Sequence, residues 1–183
     1  ILWTWLKVFP YSKNDWKRYL NIFSFCAFLT PFLIYKLLIL KILNKSPNII
    51  LSSSPQLPAV FITMIIAKMF SIRFVCEIRD LWPDILIDLG GKSRKNLIYR
   101  ILSFLEKKTY QNSDLIISLA KGLKEVISKR GGKRIVWLPN GPDLNIFKKT
   151  PLPYEENQNF DNERPFNLIY AGAHGKANAL DNV

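Results

Sequence analysis

An arginine–aspartate pair, Arg79 and Asp80, directly follows the apolar run 73–78 and begins a loop rich in polar and aromatic residues. A guanidinium binds phosphate oxygens in a bidentate manner and a carboxylate accepts a hydrogen bond from a hydroxyl, so the pair suits a phosphorylated ligand that carries hydroxyl groups. A structural salt bridge that ties down the loop is an equal alternative. Trp82 follows in the same loop, and we expect it in the core or in a lid.

Two serines, Ser53 and Ser54, follow the preceding apolar run, 48–52, and stand just before a helical segment. Their hydroxyls, together with the backbone N–H groups at the start of that helix, form a natural site for an anion or a sugar hydroxyl. Helix capping by serine is the simpler alternative, because serine is common at helix N-termini.

A turn of hinge type is predicted at Asn140, Gly141 and Asp143, after the apolar run 134–138. The Asn-Gly pair predicts a positive φ angle, and Asp143 is expected to cap the residues that follow. We expect these residues to set the geometry of a hinge rather than to take part in catalysis.

A glycine-containing loop follows the apolar run 166–171, and its candidate donor-binding residues are Gly172, His174, Gly175 and Lys176. Two glycines allow the backbone to approach a diphosphate closely, and the start of a helix points N–H groups at the anion. His174 and Lys176 would add hydrogen-bond donors. The Gly-x-x-Gly spacing alone is a weak signal, and a single histidine is more often structural than catalytic.

These loops are positioned by a regular alternation of short apolar runs and helical segments, which predicts an α/β fold of the Rossmann-like, doubly wound type. In such sheets, ligands bind at the carboxyl ends of the parallel strands, where all four loops stand. Strands are predicted at 48–52, 73–78, 114–119, 134–138 and 166–171, and helices at 58–70, 93–112 and 121–129, with a loop over 79–91.

The chain is predicted to divide into an N-terminal Rossmann-like domain over 1–150, a linker over 151–165 and the first strand of a second Rossmann-like domain in 166–183. The linker prediction rests on two prolines and a polar acidic run. Both ends read as internal to a longer protein, so the first strand of the N-terminal domain is expected to precede this chain. The chain alone is not expected to be catalytically competent.

The most apolar stretch, 20–43, is long enough to cross a bilayer, which needs roughly 20 apolar residues. Pro31, Lys36 and Lys41 argue against a span, since each lysine at mid-bilayer costs about 3 kcal/mol. We therefore expect a long helix, largely buried against the sheet, whose exposed part touches the membrane.

The net charge of +12 points to an anionic partner, such as a membrane surface, a phosphorylated substrate or nucleic acid. Nucleic acid ranks last, because no zinc-finger, helix-turn-helix or RNP-like motif supports it. Cys26 and Cys76 lack CxxC spacing and read as buried thiols. With one histidine and no acidic cluster, no catalytic metal is expected.

Taken in order, the motifs SSSPQLP (52–58), EIRDLWPD (77–84), LPNGPDLNIF (138–147) and LIYAGAHGKANALD (168–181) resemble the GT-B-fold glycosyltransferases of family 4. The resemblance is to the branch that builds bacterial O-antigen and capsule sugars, and it extends from about Leu20 to Val183. It implies a retaining, metal-independent enzyme without a cofactor. Such an enzyme transfers a sugar from a nucleotide donor, a UDP-sugar, to a polyprenyl-diphosphate-linked saccharide acceptor.

The resemblance also implies a peripheral location on the cytoplasmic face of the bacterial inner membrane, with an anionic membrane surface as a partner. It places Arg79 and Asp80 in the cleft near the reacting sugar as catalytic residues, and Ser53, Ser54 and Trp82 on the acceptor side. Gly172, His174, Gly175 and Lys176 would contact the donor.

The sequence departs from the family at two places. Many members have a histidine near the cleft where this chain has Arg79 and Asp80, and Asn178 stands about where a lysine is usual. Two alternatives therefore stay open. One is a non-catalytic GT-B-like module that binds a membrane surface, and the other is a sugar-nucleotide epimerase of GT-B architecture.

Overall fold

The computed structural model describes residues 3–11, 16–88, 93–145 and 170–172. The chain divides into two compact units, Ile1–Pro139 and Asn140–Val183. All described helices and strands belong to the first unit. The predicted linker over 151–165 and most of the strand predicted at 166–171 lie outside the described residues, so both stay predictions.

The first unit contains a four-stranded, all-parallel sheet in the order β1-β2-β3-β4. Its strands are β1 (Ile49–Ser53), β2 (Arg73–Ile78), β3 (Leu115–Ser118) and β4 (Ile135–Trp137). The register pairs Ser53 with Glu77 and Ile78 with Ser118, so the carboxyl ends of the first three strands lie at one edge. The predicted α/β class and parallel sheet are confirmed, and the arrangement is compatible with a Rossmann-like fold.

Five helices accompany the sheet: α1 (Trp16–Ile42), α2 (Leu57–Met69), α3 (Ile85–Asp88), α4 (Leu97–Asn112) and α5 (Leu123–Lys129). Pro58 stands in the first turn of α2, where a missing N–H is tolerated. The Asn96 side chain caps α4 by accepting a hydrogen bond from the Ile98 N–H at 2.9 Å. Gly131, with a φ of 106°, follows the end of α5. The short helix α3 was not predicted, because proline and glycine on either side of it favour a loop.

The core lies between one face of the sheet and helices α2, α4 and α5. That face carries Phe74, Cys76, Ile78 and Ile116, all of them nearly inaccessible to solvent. Burial raises the pKa of the Cys76 thiol to about 12, with a smaller contribution from the neighbouring carboxylate of Glu77.

On the opposite face of the sheet, Ile49, Leu51 and Val136 of the two edge strands are each about half exposed, whereas Val75 of β2 is buried. Among the described residues, the crossover helices α2, α4 and α5 lie on one face of the sheet, so the second helical layer of a doubly wound arrangement stays a prediction. The physical reason is the strand order. When each parallel strand is added at the same edge through a crossover of the same hand, the crossover helices all lie on the same face.

Helix α1 packs differently from the prediction. Only Cys26 and Leu37 of its 27 residues are buried, and Leu37 packs against Ile66 of α2 and against Ile72. The expectation of a helix largely buried against the sheet was therefore wrong, because a helix that is apolar all round does not reveal which side packs. By length and composition, α1 is the one helix among the described residues that is able to cross a membrane, a test that core helices and signal sequences also pass.

Candidate functional site

The ends of β1 and β2 are joined by a set of hydrogen bonds made by two serines. The Ser53 hydroxyl donates to the carboxylate of Glu77, and the Ser54 N–H donates to the Glu77 carbonyl at 2.9 Å. The Ser54 hydroxyl accepts from the Arg79 N–H at 2.9 Å. Ser54 is buried, so its hydroxyl serves the backbone of the loop that follows β2.

Neither serine caps α2. The N-cap residue of that helix is Gln56, and no side-chain hydrogen bond caps it. The helix-capping alternative for Ser53 and Ser54 is therefore excluded. Ser53 is exposed at the carboxyl edge, where its hydroxyl and the Glu77 carboxylate together face solvent.

Arg79 and Asp80 are both exposed at this edge. Within the part of the chain that the structure describes, the ion pairs join Lys129 to Glu125 and Arg130 to Asp84 and Glu106, and none involves Arg79 or Asp80. The alternative of a structural salt bridge at Arg79 and Asp80 is thus not found among the described residues. Both residues are exposed directly after the end of β2, the strand in which Glu77 pairs with Ser53.

A partly buried ionic cluster, in which Glu106 is the most buried group, holds the far end of the same loop. The guanidinium of Arg130, just after α5, donates from Nη1 to both carboxylate oxygens of Glu106, at 2.7 and 2.9 Å, and from Nη2 to the Asp84 carboxylate. Tyr99 donates to Asp84 at 2.8 Å, and Tyr110 donates to Glu106 at 2.9 Å. The cluster therefore connects the loop to α4 and to the end of α5.

The pKa values of the two carboxyl groups in this cluster are shifted in opposite directions. At Asp84, desolvation raises the pKa, but hydrogen bonds from Tyr99 and Arg130 outweigh it, so the pKa lies below its ordinary value. At Glu106, which is almost completely buried, desolvation outweighs the attraction of Arg130 and raises the pKa. Hydrogen bonds to Asp84 and the charge of Glu106 overcome desolvation at Arg130 and raise its pKa, so the guanidinium stays charged.

Trp82 stands between these two ends of the loop and is half-buried. The Trp82–Pro83 peptide bond is cis, and Pro83 is buried. Trp82 and Gln56 line a cavity of about 480 Å³ between α1, the start of α2 and α4. Trp82 Nε1 and Gln56 Oε1 are both buried without a hydrogen-bond partner, which costs about 1–3 kcal/mol for each group. Trp82 is thus a wall of a cavity rather than a core residue.

In the second unit, Asn140, Gly141 and Asp143 are exposed. The Asp143 carboxylate accepts a hydrogen bond from the Asn145 N–H at 2.9 Å, as the turn prediction requires. The predicted positive φ at Gly141 was wrong, since among the described glycines a positive φ occurs at Gly131. A side chain at Gly141 would meet nothing within 4 Å, so space does not demand glycine there.

Gly172 is exposed, and a Cβ atom at this position would lie 2.6 Å from the Tyr170 hydroxyl. A side chain here would force the tyrosine to move. The other candidate donor-binding residues, His174, Gly175 and Lys176, lie outside the described residues and stay predictions.

Sequence reasoning missed Glu106, Arg130 and Gln56. The spacing of Glu106 and Tyr110 places them on one helix face, which is a usable signal for a buried hydrogen bond. Nothing in the sequence connects Arg130 with Asp84, 46 residues earlier. Among the described residues, no group of three or more His, Cys, Asp or Glu side chains is placed to hold a metal ion.

Comparisons with models of protein families, with curated proteins and with solved structures find no significant match for this chain. The resemblance to family 4 therefore rests on the motifs alone. The site has to be interpreted from its own geometry.

Proposed function

We propose that this chain is the acceptor-side part of a retaining, metal-independent glycosyltransferase of GT-B type. The enzyme moves a sugar from a nucleotide sugar, a UDP-sugar, to a polyprenyl-diphosphate-linked saccharide in bacterial surface polysaccharide synthesis. The chain is one piece of the enzyme, and a second Rossmann-like domain binds the donor through Gly172, His174, Gly175 and Lys176.

The observation that carries the proposal is the pair Arg79–Asp80 at the carboxyl edge of the sheet. Both residues are exposed, and neither takes part in an ion pair of the described residues. Their loop is nevertheless anchored at its far end by Asp84 and Arg130, and at its start by Ser54. A charged pair on a fixed backbone, at the place where α/β sheets bind ligands, is suited to hold a phosphate and a sugar hydroxyl.

In the proposed reaction, the bond between the anomeric carbon and the donor diphosphate breaks. The acceptor hydroxyl oxygen forms the new bond on the same face, and its proton passes to the leaving phosphate. Arg79 offsets the negative charge that develops on the diphosphate, and Asp80 orients a sugar hydroxyl by accepting its hydrogen bond. This role is electrostatic, and such stabilisation is commonly the largest contribution to catalysis.

The surface of α1 supports a peripheral place on the cytoplasmic face of the inner membrane. Trp16, Phe23 and Tyr35 of this helix are each more than 60% exposed. The segment 3–11 is held against α1, where the Phe9 N–H donates to Ser24 at 2.8 Å, and it exposes Trp3 and Trp5. Exposed aromatic side chains next to Lys17 suit the interface of an anionic membrane.

The test is transfer of radiolabelled sugar from a panel of UDP-sugars to a lipid-diphosphate acceptor, using the complete gene product. Arg79→Gln and Asp80→Asn are expected to lower the transfer rate about a hundredfold, the usual loss when a stabilising polar group is removed. Arg73 begins the strand that Arg79 follows and is also exposed, so Arg73→Gln is the matched control. Glu125→Gln serves the same purpose for Asp80, and both controls are expected to retain activity.

Other outcomes select the alternatives. Absence of transfer with every donor, together with intact binding to anionic vesicles, indicates a non-catalytic membrane-binding module. Conversion of the UDP-sugar into its epimer indicates a sugar-nucleotide epimerase. Equal losses in Arg79→Gln and Arg73→Gln would remove the assignment of Arg79 to the site.

A further inference from the structure

Helix α4 exposes apolar side chains on the side that does not form the core. Leu97, Ile101 and Phe104 are 67%, 50% and 55% exposed. Their spacing of four and then three residues places them on one face of the helix. Tyr110 of the same helix is in the core, so α4 has apolar residues on an outer face as well as on its inner one. Single exposed apolar residues are common on proteins, but a row of them along a helix indicates an interaction surface.

Helix α2 continues this outer face. Its exposed residues are Ile65, Lys68 and Met69. All three line a shallow groove together with Phe104 and Lys108 of α4, so the exposed parts of the two helices adjoin. We refer to the exposed residues of these two helices as the α2–α4 surface.

The charged residues of the α2–α4 surface are all basic. They are Lys68, Arg100, Lys107 and Lys108. The one acidic residue of the two helices is Glu106, which is buried and bonded to Arg130. Both helices are described over their full length, so this composition holds for the whole of each. Within the described part of the chain, none of the four basic side chains takes part in an ion pair, and Lys108 Nζ lies 5.8 Å from the centre of the Phe104 ring.

Exposed apolar side chains among basic ones are complementary to an anionic bilayer. At such an interface, apolar side chains enter the head-group region while lysine and arginine side chains meet the lipid phosphates. A protein partner fits the surface less well. Three of its four basic residues are lysines, a residue type that is depleted in protein–protein interfaces.

We propose that the α2–α4 surface docks on an anionic membrane. Ile101 and Phe104 enter the head-group region, and Arg100 and Lys108 lie beside the lipid phosphates. The surface includes no residue of α1. The identification of this membrane as the bacterial inner membrane rests on the proposed function, but binding to anionic lipid does not.

The first experiment tests the charges. It measures binding of the complete gene product to vesicles of equimolar phosphatidylcholine and phosphatidylglycerol by sedimentation. Arg100→Gln combined with Lys108→Gln is expected to weaken binding about thirtyfold, since each basic residue near an anionic surface contributes about a factor of five.

The matched control for this double variant is Arg134→Gln combined with Lys124→Gln. It removes the same charges at exposed residues outside the α2–α4 surface. At physiological ionic strength, charges more than about 8 Å from the lipid are largely screened, so the control should bind like the wild type. Equal affinity in the two double variants overturns the proposal.

The second experiment tests the apolar side chains. Ile101→Gln combined with Phe104→Gln leaves the charge unchanged and replaces two apolar residues by a good helix former. It is expected to weaken vesicle binding at least about tenfold, because two apolar side chains no longer leave water. Leu138→Gln combined with Leu144→Gln is the control, since both leucines are more than half exposed outside the α2–α4 surface.

Binding that Ile101→Gln with Phe104→Gln leaves unchanged would mean adsorption by charge alone, which overturns the insertion of the apolar row. Thermal unfolding separates a loss of binding from a loss of fold. All four double variants should unfold close to the wild-type temperature, because every replaced side chain is exposed.

The docking surface and the transferase can fail separately. Vesicle binding that depends on the α2–α4 surface, without any sugar transfer, retains the docking surface and removes the transferase. Sugar transfer together with vesicle binding that neither α4 double variant weakens retains the transferase and removes the docking surface. The α2–α4 surface would then be left to an acidic protein partner.

Discussion

The loop that follows β2 has two halves that the protein holds in different ways. Arg79 and Asp80 are exposed and lack ion-pair partners among the described residues, whereas Asp84, four residues later than Asp80, is tied to Arg130 and Tyr99. The difference teaches that charge in one short segment can serve two purposes. The paired charges hold the backbone, and the exposed charges remain available to a ligand.

The largest expected effect on stability is at the anchored half. Arg130→Ala should lower the free energy of unfolding by about 3–5 kcal/mol, because it leaves the buried carboxylate of Glu106 without its partner. The neighbouring pair Lys129–Glu125 is about three-quarters exposed, so Lys129→Ala should cost less than about 1 kcal/mol. Denaturant unfolding of the two variants measures the contrast. Similar losses in both would show that the cluster does not hold the loop.

A smaller loss of stability is expected at Ser54, which holds the start of the loop's exposed half. Ser54→Ala removes the acceptor for the Arg79 N–H and should cost about 1–2 kcal/mol. Ser53→Ala removes a hydrogen bond at the exposed edge and should change stability by less than about 0.5 kcal/mol. The same unfolding measurement compares them. A larger loss for Ser53 would reverse the assignment of these two hydroxyls.

Acid should affect the anchored half first. The folded-state pKa of Asp84 lies below its unfolded value of about 3.9, so its contribution is present above that pH and is lost as the pH falls through the folded pKa. The stability difference between the wild type and Asp84→Asn should therefore shrink between about pH 5 and pH 2. Ser54→Ala is the control, because it removes no titrating group, and its difference from the wild type should stay the same over this range. A constant difference for Asp84→Asn would contradict the ionic role of Asp84.

The smallest effect on stability is expected for the exposed charges. Arg79→Gln and Asp80→Asn should each alter the free energy of unfolding by less than about 0.5 kcal/mol, as is usual for surface substitutions. Their effect should appear in sugar transfer instead. A stability loss above about 1 kcal/mol in either variant would mean that the exposed half, too, holds the fold.

The strands could be predicted from the sequence because each is a short apolar run bounded by polar turns. β2 was predicted with the bounds that the structure gives, Arg73–Ile78. The carboxyl-edge position of Ser53, Arg79 and Asp80 followed from the same pattern, since parallel strands end at one edge.

The remaining features depend on which distant residues meet. Arg130 is separated from Asp84 by a helix and a strand, and no local pattern encodes their contact. The packing side of α1 was missed because its apolar residues surround the helix, so periodicity cannot select one face. The cavity was missed because it forms only where three helices pack together, and no local sequence pattern predicts that contact.

The order of the strands in the sheet has a consequence for the synthesis of the protein. Each strand after β1 pairs with the one made just before it, so the sheet grows in the direction in which the ribosome releases the chain. Each described strand after β1 meets an edge that already exists and pairs without waiting for a distant partner. Chains emerge at about 5–20 residues per second, so this part of the protein can assemble stepwise while translation continues.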